Sequence, residues 1–277
     1  MTDAENNLFE QALICLLIDD PDRKASCAQA LNRRWRDSEL DTVSHDHPVA
    51  IPTPGRPQRP HLVDPRKVPK RGFNSPQGLL RLAHAIAHIE FNAINLALDA
   101  VYRFREMPDA FYSDWLQVAA EESSHFLMLV DYLNASGVAY GDYDAHNGLW
   151  EMALKTDHDV MVRMALVPRV LEARGLDVTP EMIRRLEGMG AKEDADALRI
   201  IYREEIGHVA AGTRWFRHLA HSRGTAPDEL WRTLVRRHFK GVLKQPFNDE
   251  ARRSAGFDAD WYAPLADEAA VPESLHS

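Results

Sequence analysis

The sequence predicts an all-helical protein. Four segments carry apolar residues at helical spacing: 77–106, 110–136, 149–174 and 192–221. No stretch alternates convincingly with the period of two that marks a half-buried strand, so no sheet is expected. Eight prolines from Pro48 to Pro76 exclude a continuous helix there, because proline lacks an amide donor and restricts the preceding residue to extended conformations.

These observations divide the chain into four parts. We expect an N-terminal helical segment, a proline-rich strap, a central helical bundle, and a C-terminal helix with a tail, at residues 1–47, 48–76, 77–221 and 222–277. The first part contains one or two amphipathic helices over residues 4–40, interrupted near Asp20-Pro21. A short helix is predicted at 180–188 after the turn sequence RGLDVTPE, and a basic amphipathic helix runs from 227 to Lys244 before the chain becomes polar.

Composition restricts the class of protein. The chain has 277 residues, 45% of them hydrophobic, and a formal net charge of −9, which gives no global reason to expect binding to a polyanion. Cys15 and Cys27 are too few for a disulfide framework and lack the spacing of a structural zinc site, so a reducing compartment fits best. No apolar run approaches the roughly 20 residues that span a bilayer. We therefore expect a cytoplasmic protein without a membrane partner.

The words EESSH and EEIGH, at residues 121–125 and 204–208, each place two acids and a histidine inside an apolar-periodic segment. Successive residues of an α-helix are about 100° apart. That rotation puts Glu122 in the middle of the apolar stripe and His125 about 60° from it, whereas Glu121 turns away. The second copy gives the same result, with Glu205 and His208 inward.

Two further acids complete the pattern. Glu90 lies on the apolar face of the first long helix, and Glu172 precedes Glu205 by nearly the interval that separates Glu90 from Glu122. A buried carboxylate is costly unless it is paired or bound to metal, so we expect these acids to meet. His84 and His88 are expected at the polar face or its boundary, with satisfied hydrogen bonds.

The chain thus offers Glu, then Glu-x-x-His, twice, and this resembles the ferritin-like dinuclear carboxylate architecture. A single Glu-x-x-His is a common accident, but two inward copies with two further acids favour a metal site over a structural network. The resemblance extends from about residue 54 to 256, to an uncharacterised bacterial family of ferritin-like proteins, through words such as HAIAHIEFNAINLALD, FYSDWLQVAAEESSHF, EEIGHVAAGTRWF and PFNDEARRSAGF. It implies a four-helix bundle and these metal ligands: Glu90, Glu122, His125, Glu172, Glu205 and His208.

Four carboxylates and two imidazoles suit iron or manganese, and two iron ions are our first choice. The sequence favours an oxygen-dependent oxidase or hydroxylase that uses dioxygen, an unknown substrate and an electron donor. A ferroxidase, a manganese catalase-like enzyme and a non-catalytic metal-binding module remain open, because related ferritin-like branches differ in reaction. Tyr202, one turn before Glu205, is either a core tyrosine or a hydrogen-bond partner of a ligand.

Two basic stretches interrupt the acidic chain. They are Arg56, Arg59, Arg66, Lys67, Lys70 and Arg71 in the strap, and Arg232, Arg236, Arg237, Lys240 and Lys244 near the C-terminus. Such residues can recruit RNA or another anionic substrate. We favour the alternative that the strap packs along the bundle with its arginines paired to surface acids such as Glu121 and Glu204.

Overall fold

The computed structural model describes residues 3–43, 46–68, 72 and 75–270. Within that part of the chain every regular element is a helix and no β-strand forms, which confirms the prediction of an all-helical protein. The chain comprises two compact units, Met1–Leu154 and Lys155–Ser277. No helix in the described ranges is long and apolar enough to cross a membrane.

The first unit opens with three helices: α1 (Asp3–Asn6), α2 (Leu8–Leu17) and α3 (Pro21–Arg36). Asn7 caps α2 by accepting hydrogen bonds from two backbone amides, and Asp20 caps α3 in the same way from the Arg23 amide. Pro21 occupies the first turn, where its missing amide costs nothing. The break between α2 and α3 falls where the sequence predicts it, and each cap contributes about 1 kcal/mol.

The two cysteines are joined. A disulfide links Cys15 of α2 to Cys27 of α3, whose Cα atoms lie 5.5 Å apart. Two cysteines are too few for the framework of a disulfide-rich fold, and the sequence therefore did not indicate this bond.

The described part of the strap forms no α-helix before Pro76 and contains one 3₁₀ turn, Pro65–Lys67. Hydrogen bonds to its backbone fix it to the rest of its unit. The Val63 amide donates to the Ala145 carbonyl at 2.8 Å, and the Ala145 amide donates to the His61 carbonyl at 3.0 Å. The indole nitrogen of the buried Trp150 donates to the Pro52 carbonyl at 3.1 Å. Non-helical backbone is therefore satisfied from outside the strap, as a proline-rich segment requires.

The charges of the strap differ from expectation. Arg66 pairs with Asp64, two residues away, at 3.0 Å and not with the acids of the long helices. A carboxylate this close along the chain costs little ordering entropy, which explains the local pairing. Lys70 and Arg71 lie outside the described residues.

Two long helices form the centre of the first unit: α4 (Pro76–Arg103) and α5 (Asp109–Ala135). Ser75 caps α4 through the Gly78 amide, and the two helices pack against each other. Their shared apolar faces bury large side chains, among them Leu98, Phe111, Trp115, Leu116 and Leu133. Helix α6 (Gly148–Lys155) follows.

The second unit begins with a long continuous helix that changes from α-helix to π-helix and back to α-helix. It contains α7 (Val160–Leu166), a π-helix (Val167–Glu172) and α8 (Ala173–Gly188), and α9 (Lys192–Ser222) follows. The predicted continuous helix at 149–174 is therefore wrong, since residues 156–159 interrupt it. The predicted turn at RGLDVTPE is also wrong, because α8 runs straight through it.

Helix α8 accommodates Pro180 because the backbone carbonyl that loses its helical hydrogen bond accepts one from a side chain instead. A proline amide cannot donate to the carbonyl four residues earlier, which here belongs to Leu176. The side-chain amide of Asn248 donates to that carbonyl at 3.1 Å. The predicted short helix at 180–188 is thus the second half of a longer one.

The C-terminal part is more ordered than its composition indicates. It forms α10 (Pro227–His238), α11 (Asp249–Ser254) and α12 (Ala259–Ala270), so the basic helix ends before Lys244 and the predicted polar tail is wrong through residue 270. Buried aromatic residues provide the reason, since Trp231, Phe257, Trp261 and Tyr262 pack together.

Three of those rings, together with Phe216 of α9, surround the buried guanidinium of Arg169, which comes from the π-helix. Its carbon atom lies 4.0–5.2 Å from four ring centroids: Phe216, Trp231, Phe257 and Trp261. None of its three nitrogens has a hydrogen-bond acceptor among the described residues. Burial, together with the nearby charges of Arg217 and Arg252, holds the pKa of Arg169 well below its usual range. Cation–π attraction is therefore the compensation visible for this charge.

Candidate metal centre

Three ligand-type side chains converge in the first unit. Glu90 of α4 and Glu122 and His125 of α5 are 3%, 0% and 1% exposed, so the inward orientation predicted for each is confirmed. Glu121 is only half-buried and accepts a hydrogen bond from Gln117 at 2.7 Å, in agreement with its predicted outward rotation.

The geometry of this group centres on His125. Its Nδ1 lies 3.3 Å from Glu90 Oε2 and 3.3 Å from Glu122 Oε2. One ligand atom from each of the three residues lies within 4.8 Å of the other two. One ion could contact all three after small side-chain movements, because iron and manganese accept both carboxylate oxygen and imidazole nitrogen.

The electrostatics of the group favour protonated forms of Glu90 and His125. Burial and the charge of Glu122 raise the pKa of Glu90 well above its usual range. Burial alone would lower the pKa of His125, but hydrogen bonds to Glu122 and Glu90 and their charges raise it to about 11. Both shifts act in the same sense, since they favour the neutral form of Glu90 and the charged form of His125. A metal ion would have to displace these protons.

The second unit repeats the motif on α9. Glu205 and His208 are 9% and 1% exposed, and His208 Nδ1 lies 3.8 Å from Glu205 Oε2. Glu204, the neighbour predicted to face outward, is half-buried. The two histidines therefore follow their inward acids one helical turn along in both units.

Glu172, the fourth predicted acid, is half-buried at the last position of the π-helix. Pro168 lies at the start of this element. A proline inside a helix is expected to disturb its regular hydrogen bonding, and the π-helix is that irregularity. Gly212 of α9 makes the packing possible, because a Cβ atom there would lie 2.2 Å from Pro168 Cγ. Neither Gly212 nor Arg169 was identified from the sequence, since a helical glycine or arginine carries no pattern of its own.

A family model matches residues 17–263. The chain belongs to the family described as "Protein of unknown function (DUF455)". A relative in this comparison is an "Uncharacterized protein" of Haemophilus influenzae (strain ATCC 51907 / DSM 11121 / KW20 / Rd), 46% identical over 215 residues that cover 74% of this chain and 75% of the relative. No solved structure matches the chain significantly.

Three further residues singled out from the sequence, Tyr202, His84 and His88, have hydrogen-bond partners within their own unit. The hydroxyl of Tyr202 accepts a hydrogen bond from the Asn248 amide at 2.8 Å, and its link to a ligand stays a prediction. His84 and His88 are hydrogen-bonded as expected, the former accepting from the Gly141 amide at 2.8 Å. Their predicted boundary position is wrong, because the residues after α5 bury both rings.

Proposed function

We propose that this protein is a ferritin-like four-helix-bundle protein that holds two metal ions. The ligands come in two sets of three: Glu90, Glu122 and His125, and Glu172, Glu205 and His208. The buried group around His125 carries the proposal, since two carboxylates and an imidazole share one apolar environment there. The same residue types recur on α9 in the same order.

The donor set supports iron first and manganese second. Four carboxylates and two imidazoles are hard to intermediate donors, which these ions prefer and soft thiophilic ions do not. Neither cysteine contributes, because both are in the disulfide. Glu90 and Glu122 place two carboxylates in one buried group, as the raised pKa values of Glu90 and His125 indicate, and a bound cation would offset their negative charge.

A bound pair of iron ions supplies activation of dioxygen, so we propose an oxygen-dependent oxidase or hydroxylase. The protein's own contribution is to exclude water from the ligands and to exchange protons for metal at Glu90 and His125. The organic substrate and the electron donor are further partners of this proposal. The proposal includes no membrane partner. The cytoplasmic location expected from the sequence stays a prediction, and the Cys15–Cys27 disulfide disagrees with the reducing compartment on which it was based.

Metal analysis of the purified protein tests the proposal. We expect two iron or manganese ions per chain after reconstitution. Replacing Glu122 or Glu205 with Ala should remove metal, whereas the matched neighbours Glu121→Ala and Glu204→Ala should keep it. Equal losses in all four variants, or a folded protein that takes up no metal, would contradict the assignment.

Oxygen reactivity then distinguishes the reactions. The anaerobically reduced iron form should consume dioxygen faster than free ferrous ion, with a transient absorption change. An oxygen-inert iron protein would indicate a binding module. Release of oxygen from peroxide by a manganese form would indicate a catalase-like enzyme, and uptake of many more than two ions would indicate iron storage.

A further inference from the structure

The disulfide joins the end of α2 to the start of α3, apart from the metal-ligand group. Cys15 lies in the last turn of α2 and Cys27 in the second turn of α3, 12 residues later in the chain. Cys15 is 2% exposed, whereas Cys27 is only half-buried. A reagent dissolved in the solvent therefore reaches Cys27 more readily than Cys15.

The fold does not depend on this bond for its assembly. A chain of 277 residues buries a core large enough to fold without a covalent link, unlike the small domains that need one. Helix α3 is also held to α5 by side-chain hydrogen bonds that involve neither cysteine. These bonds run from Gln29 to Ser124 at 3.1 Å, from Asn32 to Gln117 at 3.1 Å and from Trp35 to Ser113 at 2.8 Å. We therefore expect α3 to keep its place when the disulfide is open.

The corner between α2 and α3 holds one point of the strap. The Gly55 amide donates to the Leu16 carbonyl at 3.0 Å, and a Cβ atom on Gly55 would lie 2.3 Å from the Leu17 carbonyl oxygen. Lys24 of α3 donates from its side chain to the carbonyls of Leu16, at 2.8 Å, and Gly55, at 2.6 Å. Leu16 is next to Cys15, and Lys24 lies one helical turn before Cys27. The attachment of Gly55 therefore depends on the two helix ends that the disulfide joins.

Other points of the strap are attached elsewhere. The Pro52 carbonyl accepts from the indole of Trp150, and the Val63 amide donates to the Ala145 carbonyl. Neither attachment uses a residue of α2 or α3. Loosening of the corner should therefore free the strap around Gly55 and leave Val63 bound.

We propose that the disulfide is a thiol-exchange site, which a small thiol opens through Cys27, and that opening releases Gly55 of the strap from α2. The thiolate of one thiol molecule attacks the sulfur of Cys27, the bond between the cysteines breaks, and Cys15 leaves as a thiolate. A second thiolate attacks the sulfur of the first thiol and displaces Cys27 as a thiolate. Two thiols are thus oxidised to one small disulfide, and the two cysteines take up the two protons.

Reversibility gives the bond a role that a single permanent link lacks. Disulfides in a reducing compartment are transient and redox-sensing, so an exchangeable bond is compatible with the cytoplasmic location expected from the sequence. The site shares no residue with the proposed metal ligands and is independent of that function. Its output is the attachment of the strap at Gly55.

Glutathione is the probe for the exchange step. The folded full-length protein is incubated with millimolar glutathione, quenched with acid and digested, and the adducts are located by mass spectrometry. We expect an adduct on Cys27 with a free thiol on Cys15, at least tenfold above the reverse product, and circular dichroism that does not change. A disulfide that opens only in urea would overturn the proposal, as would an adduct mainly on Cys15 or unfolding of the reduced protein.

Amide hydrogen exchange, followed by NMR, tests the release of the strap. A crosslink that closes a loop this short favours the closed form by about a hundredfold. Reduction should therefore accelerate exchange at the Gly55 amide by roughly ten- to a hundredfold and leave the Val63 amide within about twofold. The double variant Cys15→Ala/Cys27→Ala should exchange quickly at Gly55 without any thiol. Ser26→Ala, which changes the exposed neighbour of Cys27, should respond to reduction as the native protein does.

Two results of the exchange measurement would refute the release of the strap. Unchanged exchange at Gly55 in the reduced protein would show that the disulfide does not control this attachment. Equal acceleration at Gly55 and Val63 would show a general loss of stability instead of a local release.

Discussion

Replacement of Glu90 by Gln tests two properties of the metal-ligand group separately. One is its effect on the stability of the metal-free protein, and the other is its ability to bind metal. In the metal-free protein, burial and the charge of Glu122 raise the pKa of Glu90 well above its usual range, which favours the neutral form of this side chain. Gln has nearly the same shape and is also neutral. We therefore expect Glu90→Gln to change the free energy of unfolding of the metal-free protein by less than about 1 kcal/mol.

The metal-loaded protein should respond differently. An ion present at 100 times its dissociation constant stabilises the folded state by about 2.7 kcal/mol. For a chain of this size that corresponds to a rise in Tm of roughly 5 °C. The side-chain amide that Glu90→Gln introduces cannot supply the anionic oxygen, so the variant should lose this rise. Differential scanning calorimetry of chelator-treated protein, with and without added manganese, measures both quantities.

Glu121→Gln is the control, because Glu121 lies on the same helix as Glu122 but faces away from the group. It should keep the metal-dependent rise in Tm. Loss of more than about 3 kcal/mol from metal-free Glu90→Gln would refute the reasoning, since it would mean that Glu90 is ionised and paired with His125. A full metal-dependent rise in the variant would exclude Glu90 as a ligand.

Three further predictions test the packing and the buried charges. Burial lowers the pKa of Lys24 from 10.5 to about 7, so between these pH values the unfolded chain binds more protons and native stability should rise with pH, by at most about 1.4 kcal/mol per unit. Urea titrations from pH 7 to 9.5 should show this rise and Lys24→Met should lack it; identical slopes would contradict the shift. Gly212→Ala should destabilise by roughly 1–3 kcal/mol because its methyl group would meet Pro168, whereas Gly207→Ala, which meets nothing within 4 Å, should not; equal denaturation midpoints would refute this. Arg169→Met should raise the unfolding free energy by about 1–3 kcal/mol, because it removes a buried charge without acceptors. Differential scanning calorimetry of the native protein and Arg169→Met measures this change. A loss of stability in the variant would show that the cation–π contacts outweigh the cost of desolvating the guanidinium.

The long helices were predictable because their information is local. Helical periodicity predicts α4, α5 and α9 to within a few residues, and Ser75-Pro76 marks the start of α4 through its cap. The continuation of α8 through Pro180 was not predictable. The side-chain amide that donates to the free Leu176 carbonyl belongs to Asn248, which is far along the chain. Order at the C-terminus also involves a contact that is distant in sequence, since Phe216 of α9 packs against Trp261 of α12.

Part of the candidate site was predictable from the sequence and part was not, again according to whether the information is local. Rotation about a helix axis is enough to bury Glu122 and His125 and to turn Glu121 away, so these orientations followed from the sequence. The environment of Glu172 did not, because a π-helix shifts the rotation that an α-helical count assumes.

The π-helix at Val167–Glu172 also predicts how homologous genes can differ in length. Such a turn is in effect an α-helix with one inserted residue, so a single-codon deletion there can be absorbed as regular helix. The deletion would swing Glu172 by about 100° relative to the preceding helix. A one-residue gap at this position in an alignment would therefore identify homologues in which this acid has a different direction. Those homologues form a natural set in which to ask whether metal content follows the insertion.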